Sequence, residues 1–402
     1  MVMDTITHGI AGALAAKAFF DGDDLFTFRP FSPARLITLA VTLGSVFPDS
    51  DSLLDLVSRN QLLIITWHRG ITHSFVFLLP FAVTLALLTR WVAHRFTLEI
   101  PSLAHLSLLY GAGIALHIFL DLITNFGTMI WLPLSWSRPA WDLVFIVDFT
   151  LSAILLLPQL LAGLFGRREV LRRRAVRAWC ICFALTFLIW RLAIGAGFPF
   201  SATTFTVIGV MLFALFLLPT VRGWGLRVER RTWCRAGAVC FAGYLVLAVV
   251  AHRAALGRVR QFVSDTHLEA ASLAALPVPP SVWHWTGLVL APRGVYELSV
   301  DLSAPQAGKR AGHPEPSETI EYRYYPNAPP NPYIAAAREL PEVKTVLWFA
   351  RFPVIRSWKE GSEAVVEIVD VRFAGRGRRP APFTYRVRFD SSGRVLSQGW
   401  FR

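Results

Sequence analysis

Cysteine and charge are both scarce in this chain of 402 residues. Its four cysteines, Cys180, Cys182, Cys234 and Cys240, lie in or beside apolar segments, so neither a disulfide framework nor a zinc ribbon is indicated. Charged residues make up only 17% of the chain, whereas hydrophobic residues make up 54% and the mean hydropathy is +0.47. Soluble globular proteins contain about 45–50% apolar residues. The composition therefore predicts a membrane protein, at least over the first two thirds of the sequence.

Acidic residues are the scarcer charge type, with 27 Asp and Glu against 40 Lys and Arg, which gives a formal net charge of +13. In a soluble protein this balance would suggest nucleic-acid binding. Here much of the basic excess falls in short segments between apolar runs, as the positive-inside rule describes for membrane proteins. We therefore expect the lipid bilayer, and no nucleic acid, as a partner, while the sequence does not define a protein partner.

The N-terminus lacks the basic region of a signal peptide and carries Asp4 instead, so we expect it to remain in the mature protein. Eight apolar runs follow, and the first two are shorter than the ~20 residues that a membrane-spanning helix needs. The runs are Asp4–Phe20, Arg35–Phe47, Ser74–Trp91, Leu103–Leu122, Leu143–Phe165, Trp179–Ile194, Thr203–Leu218 and Ala236–Ala251. If the two short runs do not span, six crossings remain.

From about residue 256 the chain is punctuated by proline and contains runs that alternate or are rich in Val, Tyr and Phe, as half-buried strands are. These runs are 295–302, 319–325, 345–353, 364–373 and 383–389, and 390–393 is typical of a turn. The predicted fold class is an α-helical polytopic membrane protein of about eight helices, the first two short, with a C-terminal β-rich extramembrane domain. We predict residues 1–255 as the transmembrane domain and residues 256–402 as the β-rich domain.

Arginines divide unevenly between alternate loops. With eight crossings, one set of loops holds fifteen arginines and the other set holds three. Because the basic set faces the cytoplasm, this count predicts a multi-pass protein of the bacterial inner membrane. The N-terminus and the β-rich domain are then extracytoplasmic.

Five groups of polar residues fall at the same ends of these runs. They are Asp4 with His8, Asp49 with Asp51, His68 with His73, His117 with Asp121, and Asp142 with Asp148. In the predicted topology all five groups face the extracytoplasmic side. Five unrelated groups of polar residues would all lie on one side of the membrane only by coincidence. Their common location therefore favours a single site built from five segments.

The spacing within these groups indicates a metal centre. Residues four apart on a helix share a face, so Asp4 with His8, and His117 with Asp121, each present a carboxylate and an imidazole together. Ionisable groups at membrane depth cost about 2.5 kcal/mol or more each, and metal coordination would offset that cost. We predict a divalent ion, zinc first with manganese or iron as alternatives. The predicted ligands are Asp4, His8, Asp49, His68, His73, His117 and Asp121.

Asp49 and Asp142 are also candidates for a further ligand or a general base. The structural alternative is that Asp51, Asp142 and Asp148 only cap turns and helices. Arg191, in the sixth apolar run, is predicted to serve the site by pairing with a carboxylate such as Asp148 or by contacting a substrate phosphate. Its alternative is snorkelling to the lipid head groups.

These residues carry a resemblance to a known family. Five segments resemble, in order, the motifs of the YdjM-like family of bacterial inner-membrane, metal-dependent hydrolases. They are Met3-Asp4 to Thr7-His8, Gly44-Ser45 to Pro48-Asp49-Ser50-Asp51, the His68-Arg69-Gly70-Ile71-Thr72-His73-Ser74 block, His117 to Asp121 with Thr124 and Gly127, and Asp142 to Asp148. The resemblance covers roughly the first 150 residues, and the block from His68 to Ser74 is its most specific part. It implies a membrane-bound metal hydrolase whose substrate is poorly defined.

Two function classes follow. The first is a metal-dependent hydrolase acting on an ester or phosphoester of a lipid or lipid-linked substrate at the outer face of the membrane. The second is a non-catalytic membrane protein, either a metal-handling transporter or an envelope scaffold. A transporter would need polar groups that continue through the bilayer, and the third and fifth runs turn apolar below the polar groups, which favours the enzyme.

Overall fold

The structure is a computed structural model, and it describes residues 5–23, 32–53, 62–96, 100–165, 171–195, 201–278, 282–303, 320–374 and 381–401. The main helices in the described part of the first 265 residues are α1 Thr5–Phe19, α2 Pro33–Val46, α3 Phe75–Arg95, α4 Leu103–Leu122, α5 Phe149–Leu164, α6 Leu171–Gly195, α7 Ala202–Leu217 and α8 Arg230–Asp265. Five of them, α3, α4, α6, α7 with its continuation to Arg227, and α8, are long and apolar enough to cross a membrane. The polytopic helical class is confirmed, and α1 and α2 are short, with 15 and 14 residues.

Side-chain caps set where several helices begin. Ser74 caps α3 and Ser102 caps α4, each accepting a hydrogen bond from a backbone N–H of the first turn. Asp148 accepts hydrogen bonds from the N–H groups of Thr150 and Leu151 at 2.8 and 3.0 Å, so α5 begins at Phe149. The apolar run that begins at Leu143 is therefore helical only from Phe149, because the chain from 143 to 148 is not helical.

Two glycines allow α2 and α4 to pack with their backbones in close contact. A Cβ atom added to Gly44 would lie 2.5 Å from the backbone oxygen of Tyr110, and one added to Gly113 would lie 2.3 Å from the backbone oxygen of Val41. Only hydrogen fits at either position. The close approach brings the turn that follows α2 beside the last turns of α4.

The C-terminal region contains two four-stranded antiparallel sheets, each with its strands in chain order. The first sheet is β1 Ser272–Pro277, β2 His284–Ala291, β3 Gly294–Asp301 and β4 Tyr322–Pro326, and the second is β5 Pro353–Glu360, β6 Glu363–Asp370, β7 Thr384–Phe389 and β8 Val395–Trp400. Helices α9 Pro332–Glu339 and α10 Pro341–Phe349 lie between them in the sequence. The prediction of a β-rich C-terminal domain is confirmed, as is the turn before β8.

One predicted strand, 345–353, is wrong. Residues 341–349 form α10, whose buried residues Val343, Val346 and Phe349 recur every third position, as one face of a helix requires. Pro341 also suits the first turn of a helix, where no N–H is needed.

Helix α8 joins the two regions without a break. It runs through the predicted boundary at residue 255 to Asp265. Its last turns pack Ala255, Val259 and Phe262 against Trp285 and Val289 of the first sheet. A helix that contributes to both hydrophobic cores fixes the first sheet relative to the membrane-spanning helices.

The second sheet packs on the loops at one end of the helices. A single hydrophobic cluster joins Ile65, in the short helix Leu63–Thr66, and Phe126, in the loop after α4, to Val346 and Phe349 of α10. Arg351 also forms a bidentate ion pair with Asp142, with N–O distances of 2.8 and 2.9 Å.

Candidate metal centre

Four buried side chains from three segments converge in the described part of the chain. Asp49 lies in the turn after α2, His73 lies just before α3, and His117 and Asp121 lie on α4. One ligand atom from each residue lies within 4.8 Å of the other three. These four residues are the ones that could hold a metal ion together.

The separations between the ligand atoms suit a tetrahedral ion. His117 Nε2 lies 3.0 Å from His73 Nε2, 3.5 Å from Asp121 Oδ2 and 3.6 Å from Asp49 Oδ1. His73 Nε2 lies 3.1 Å from Asp121 Oδ2 and 3.8 Å from Asp49 Oδ1. When four such atoms hold zinc at about 2.0–2.1 Å in a tetrahedron, any two of them lie about 3.3 Å apart. The five distances bracket that value.

Local structure explains why each ligand points inward. His117 and Asp121 are four apart on α4, so they share one face of the helix. Pro48 ends α2 and begins the short 3-10 turn 47–52 that carries Asp49. The hydroxyl of Thr5 on α1 donates to Asp49 Oδ2 at 2.6 Å, which leaves Asp49 Oδ1 for the site.

Both histidine ligands have their second ring nitrogen fixed by another group. His117 Nδ1 lies 2.7 Å from the backbone oxygen of Ser45, to which it donates. His73 Nδ1 lies 3.0 Å from the hydroxyl of Thr72 and 3.4 Å from Asp51 Oδ2. In both rings Nδ1 is thus engaged outside the site, and Nε2 faces the site. Metal-bound histidines in proteins are held in this way.

Asp51 is the carboxylate that organises the turn before α3. Its Oδ2 accepts hydrogen bonds from the Arg69 N–H at 3.0 Å and from the Thr72 hydroxyl at 3.1 Å, while its Oδ1 lies 2.9 Å from His68 Nδ1. Burial opposes ionisation of Asp51, but hydrogen bonds from His68 and His73 outweigh it and hold the pKa of this carboxyl well below its usual range. Asp51 is therefore ionised and orients His68 and His73 together.

Arg69 supports Asp121 from the side opposite the ligand atoms. Its guanidinium is fully buried, lies 2.7 Å from Asp121 Oδ1, and donates to the hydroxyl of Thr124 at 2.9 Å. The backbone of Arg69 has a φ of +59°, in the left-handed region that is costly for a residue with a side chain. Strain at this position is held in place by the contacts with Asp51 and Asp121.

His8 and His68, predicted as ligands, lie beside the four-atom set and not in it. His8 on α1 stacks on the ring of His117 at 3.9 Å, and its Nε2 lies 3.3 Å from Asp121 Oδ1. His68 is held by Asp51, and its buried Nε2 has no hydrogen-bond partner in the described structure. Both imidazoles therefore lie next to the four candidate ligands and outside the four-atom set.

Three further predicted residues have other placements. Asp4 lies outside the described residues. Asp142 is buried but is engaged by Arg351, so its carboxylate serves the contact between the two regions and not the four-atom set. Its partner in the sequence prediction, Asp148, caps α5 and accepts from the Tyr244 hydroxyl.

Arg191 is also not brought to the centre. It lies exposed on α6, a helix that packs mainly against α7, and within the described chain it forms no ion pair with a carboxylate of the site. Arg191 and Asp148 therefore form no ion pair in the described structure, and the placement is the one expected of an arginine that reaches the head groups.

Sequence reasoning missed what Arg69, Thr5 and Thr72 do. All three stand within or next to the polar segments, yet their contacts depend on the approach of distant segments, such as the 2.7 Å ion pair between Arg69 and Asp121. The one local signal is the density of donors in the block from His68 to Ser74, which suggests that this turn needs more than its two histidines.

The donor set fits a divalent cation. Asp49 Oδ1 and Asp121 Oδ2 are buried and receive no hydrogen bond of good geometry, a costly state for carboxylate oxygens unless a cation lies between them. Burial alone would lower the pKa of His73, but the carboxylates of Asp121 and Asp51 raise it to about 9. The site therefore favours positive charge at this point, and two carboxylates with two imidazoles are ligands that zinc, manganese and iron accept.

Comparison with known proteins agrees with the membrane assignment. Residues 3–198 match the profile of a family described as YdjM inner membrane protein. The chain is also 31% identical over 142 residues to the uncharacterized protein YfhP of Bacillus subtilis (strain 168), a match that covers 35% of this chain and 41% of that relative. The chain thus spans less than half the length of the relative, and no solved structure matches it.

All four residues of the candidate centre lie inside the matched segment, as does the block from His68 to Ser74. The family description gives a membrane location and no activity. Over residues 3–198 the chain is therefore similar to the YdjM inner membrane protein family.

Proposed function

We propose that the protein is a membrane-bound, metal-dependent hydrolase that cleaves an ester or phosphoester of a lipid or lipid-linked substrate. The observation that carries the proposal is the buried set of Asp49, His73, His117 and Asp121, with ligand atoms at tetrahedral spacing and with both imidazoles oriented by a second partner. A purely structural polar cluster would not need two carboxylate oxygens left without hydrogen bonds.

The proposed role of each residue follows from its position in the site. Asp49, His73, His117 and Asp121 would hold the ion, which when bound polarises the scissile group and lowers the pKa of a water molecule. Arg69 holds Asp121, and Asp51 orients His73. His68, fixed at Nδ1 by Asp51 and free at Nε2, is placed to accept or return a proton. Zinc is the first candidate, with manganese and iron as alternatives.

Hydrolysis is testable with purified protein reconstituted in lipid. The substrates are phosphatidylglycerol vesicles, bis-(p-nitrophenyl) phosphate and a p-nitrophenyl ester, each assayed with added zinc, manganese or iron. We expect metal-dependent turnover of at least one substrate, and a loss of at least a hundredfold in His73→Ala, about 2.7 kcal/mol in transition-state stabilisation. The matched control is His94→Ala, because His94 is exposed at the other end of α3.

The alternative function is metal handling or envelope assembly without catalysis. Stoichiometric metal in the wild-type protein together with no turnover of any of the three substrates would favour that alternative. Equal turnover in the wild-type protein and in His73→Ala would instead remove the metal centre from the reaction.

We further propose that the site and the C-terminal domain lie on the extracytoplasmic side. Fifteen arginines in one set of loops against three in the other support this orientation. Reporters fused after Arg174 and Arg231 should then read as cytoplasmic, and those fused after Phe198 or within the β-rich domain as external. The opposite pattern would place the site at the cytoplasmic face.

A further inference from the structure

The centre is covered on one side by a layer of aromatic rings. Phe126, in the loop between α4 and α5, lies 5.1 Å from the Arg69 guanidinium and 6.0 Å from the His68 ring. On its other side Phe126 meets the rings of Phe349 at 5.3 Å and Phe383 at 5.9 Å. The C-terminal domain therefore closes the centre through Phe126, and we call Phe126, Phe349 and Phe383 the roof.

Two arginines, Arg372 and Arg138, hold the roof in place through hydrogen bonds and ring contacts. Arg372, next to β6, donates to the backbone oxygen of Asn125 at 3.1 Å and of Phe349 at 2.9 Å. Arg138 donates to the backbone oxygen of Gly127 at 3.1 Å and lies 5.3 Å from the Phe126 ring. These hydrogen bonds and ring contacts hold the roof in place beside the centre.

A second side of the site carries exposed apolar residues. They are Trp67, Phe75, Trp131, Leu134 and Trp136, which we call the rim, and Leu134 and Trp136 are 78% and 61% exposed. Trp67 directly precedes His68, and Phe75 comes two residues after the ligand His73. Large apolar groups of this kind on one surface mark contact with lipid or with another protein.

The rim is fastened to the end of a helix whose outer surface is apolar. The Ser74 hydroxyl donates to the backbone oxygen of Leu132 at 2.6 Å, and the Phe75 N–H donates to that of Ile130 at 3.0 Å. Helix α3, which starts here, is a candidate membrane span that exposes Leu79, Leu87 and Leu88.

A surface of leucines on a membrane span faces acyl chains, so the rim at its end lies at the level of the head groups. Tryptophan is enriched at that level because its ring is apolar and its N–H is polar. These features favour the bilayer over a protein partner as the occupant of the rim.

We propose that the rim is embedded in the head-group region of the leaflet on the side of the site, and that a lipid reaches the metal centre laterally across it. The lateral route deepens the proposed function by assigning the substrate to the lipids of that leaflet. The embedding of the rim does not depend on catalysis.

Depth-dependent quenching tests the embedding. A fluorophore is attached to Leu134→Cys in a background with the four native cysteines replaced by serine, and the protein is placed in phosphatidylcholine vesicles. Matched labels go on Leu88→Cys, on the apolar surface of α3, and on Ala270→Cys, exposed beyond the end of α8. We expect brominated lipids to quench the labels at 134 and 88, and iodide to quench the label at 270. Iodide quenching at 134 equal to that at 270 would overturn the embedding.

Photocross-linking tests the lateral route without requiring turnover. A phospholipid with a diazirine in its head group is irradiated in the same vesicles, and the cross-linked peptides are identified by mass spectrometry. We expect adducts in the segment from Trp67 to Phe75, and an adduct yield at least fivefold lower in Leu134→Asp with Trp136→Asp than in Ala270→Asp. Adducts confined to the membrane spans, or a yield that the rim variants do not change, would overturn the lateral route. Cross-linking in a protein that binds no metal would instead count against the proposed function alone.

Discussion

Asp51 connects two histidines of the site through the opposite oxygens of one carboxylate. Oδ1 holds His68, and Oδ2 holds the turn that orients His73. Such outer carboxylates fix the orientation and basicity of a metal-bound imidazole. The affinity of the centre for its ion should therefore depend on a residue that does not contact the ion.

Asp51→Asn tests this dependence. The amide keeps one acceptor but presents donors to the Arg69 N–H and the Thr72 hydroxyl, so we expect metal affinity to fall by about 10–100-fold. Competition with a chromophoric chelator measures it. Asp301→Asn is the control, because Asp301 also pairs with a histidine, His284, but at an exposed position 3.5 Å away. Equal affinities in both variants would show that Asp51 does not orient the ligands.

At the residue scale the sequence indicates the ligand types and part of the set. The i,i+4 spacing of His117 and Asp121 predicts a shared face, and that pair lies in the four-atom set. Spacing does not separate ligands from their neighbours, so His68 was grouped with His73 although Asp51 holds it outside the set. That distinction depends on which ring nitrogen faces inward, and only the approach of α2 to the turn before α3 decides it.

Helix packing at the glycines of α2 and α4 sets the width of the centre. Asp49 follows α2, while His117 and Asp121 lie on α4, so the two helices must approach closely for the ligand atoms to meet. At Gly113 the atom in the way of a Cβ is a backbone oxygen, which cannot move independently of α2.

Gly113→Ala should therefore lower stability and metal content together. The clash at 2.3 Å forces the helices apart, and overpacking of this kind costs about 1–3 kcal/mol. Thermal unfolding in detergent measures the stability. On the same helix, Gly111→Ala places its Cβ 3.5 Å from a Leu78 side-chain carbon and gains helix propensity, so we expect no loss there. A midpoint for Gly113→Ala equal to that of Gly111→Ala would contradict the packing argument.

At the element scale the sequence predicts the helices well, because long apolar runs have few alternatives. The sequence does not predict the element correctly where the apolar residues of a short segment fit both the two-residue period of a strand and the 3.6-residue period of a helix. The run 345–353 contains apolar residues at both strand and helix spacing, and the helix is formed because Val343, Val346 and Phe349 share a buried face. The apolar run from Leu143 does not show where α5 begins, because the cap of this helix, Asp148, lies inside the run.

The contact between the two regions depends on pairs that no sequence pattern predicts. Asp142 and Arg351 are 209 residues apart, and their ion pair forms only after the second sheet has packed on the loop between α4 and α5. The β-rich domain could be predicted from composition, whereas its role as a cover for the centre could not.

Asp142→Asn should loosen this contact. Asp142 is buried and Arg351 is partly exposed, so we expect a loss of about 1–2 kcal/mol, at the lower end for a charged hydrogen-bonded pair. Hydrogen exchange of residues 124–130 should increase in this variant. Glu339→Gln, which removes an exposed pair with Lys344, should leave that exchange unchanged. An increase that is equal in both variants would show that the Asp142 pair does not hold the cover.

The most direct test of the central claim is the metal content of His117→Ala beside that of His105→Ala. Both histidines lie on α4, but His105 is exposed near its start whereas His117 is fully buried in the four-atom set. Elemental analysis of the purified, membrane-inserted proteins should find one divalent ion per chain in the wild type and in His105→Ala, and none in His117→Ala. Full occupancy in His117→Ala, or no ion in the wild type, would contradict the metal centre.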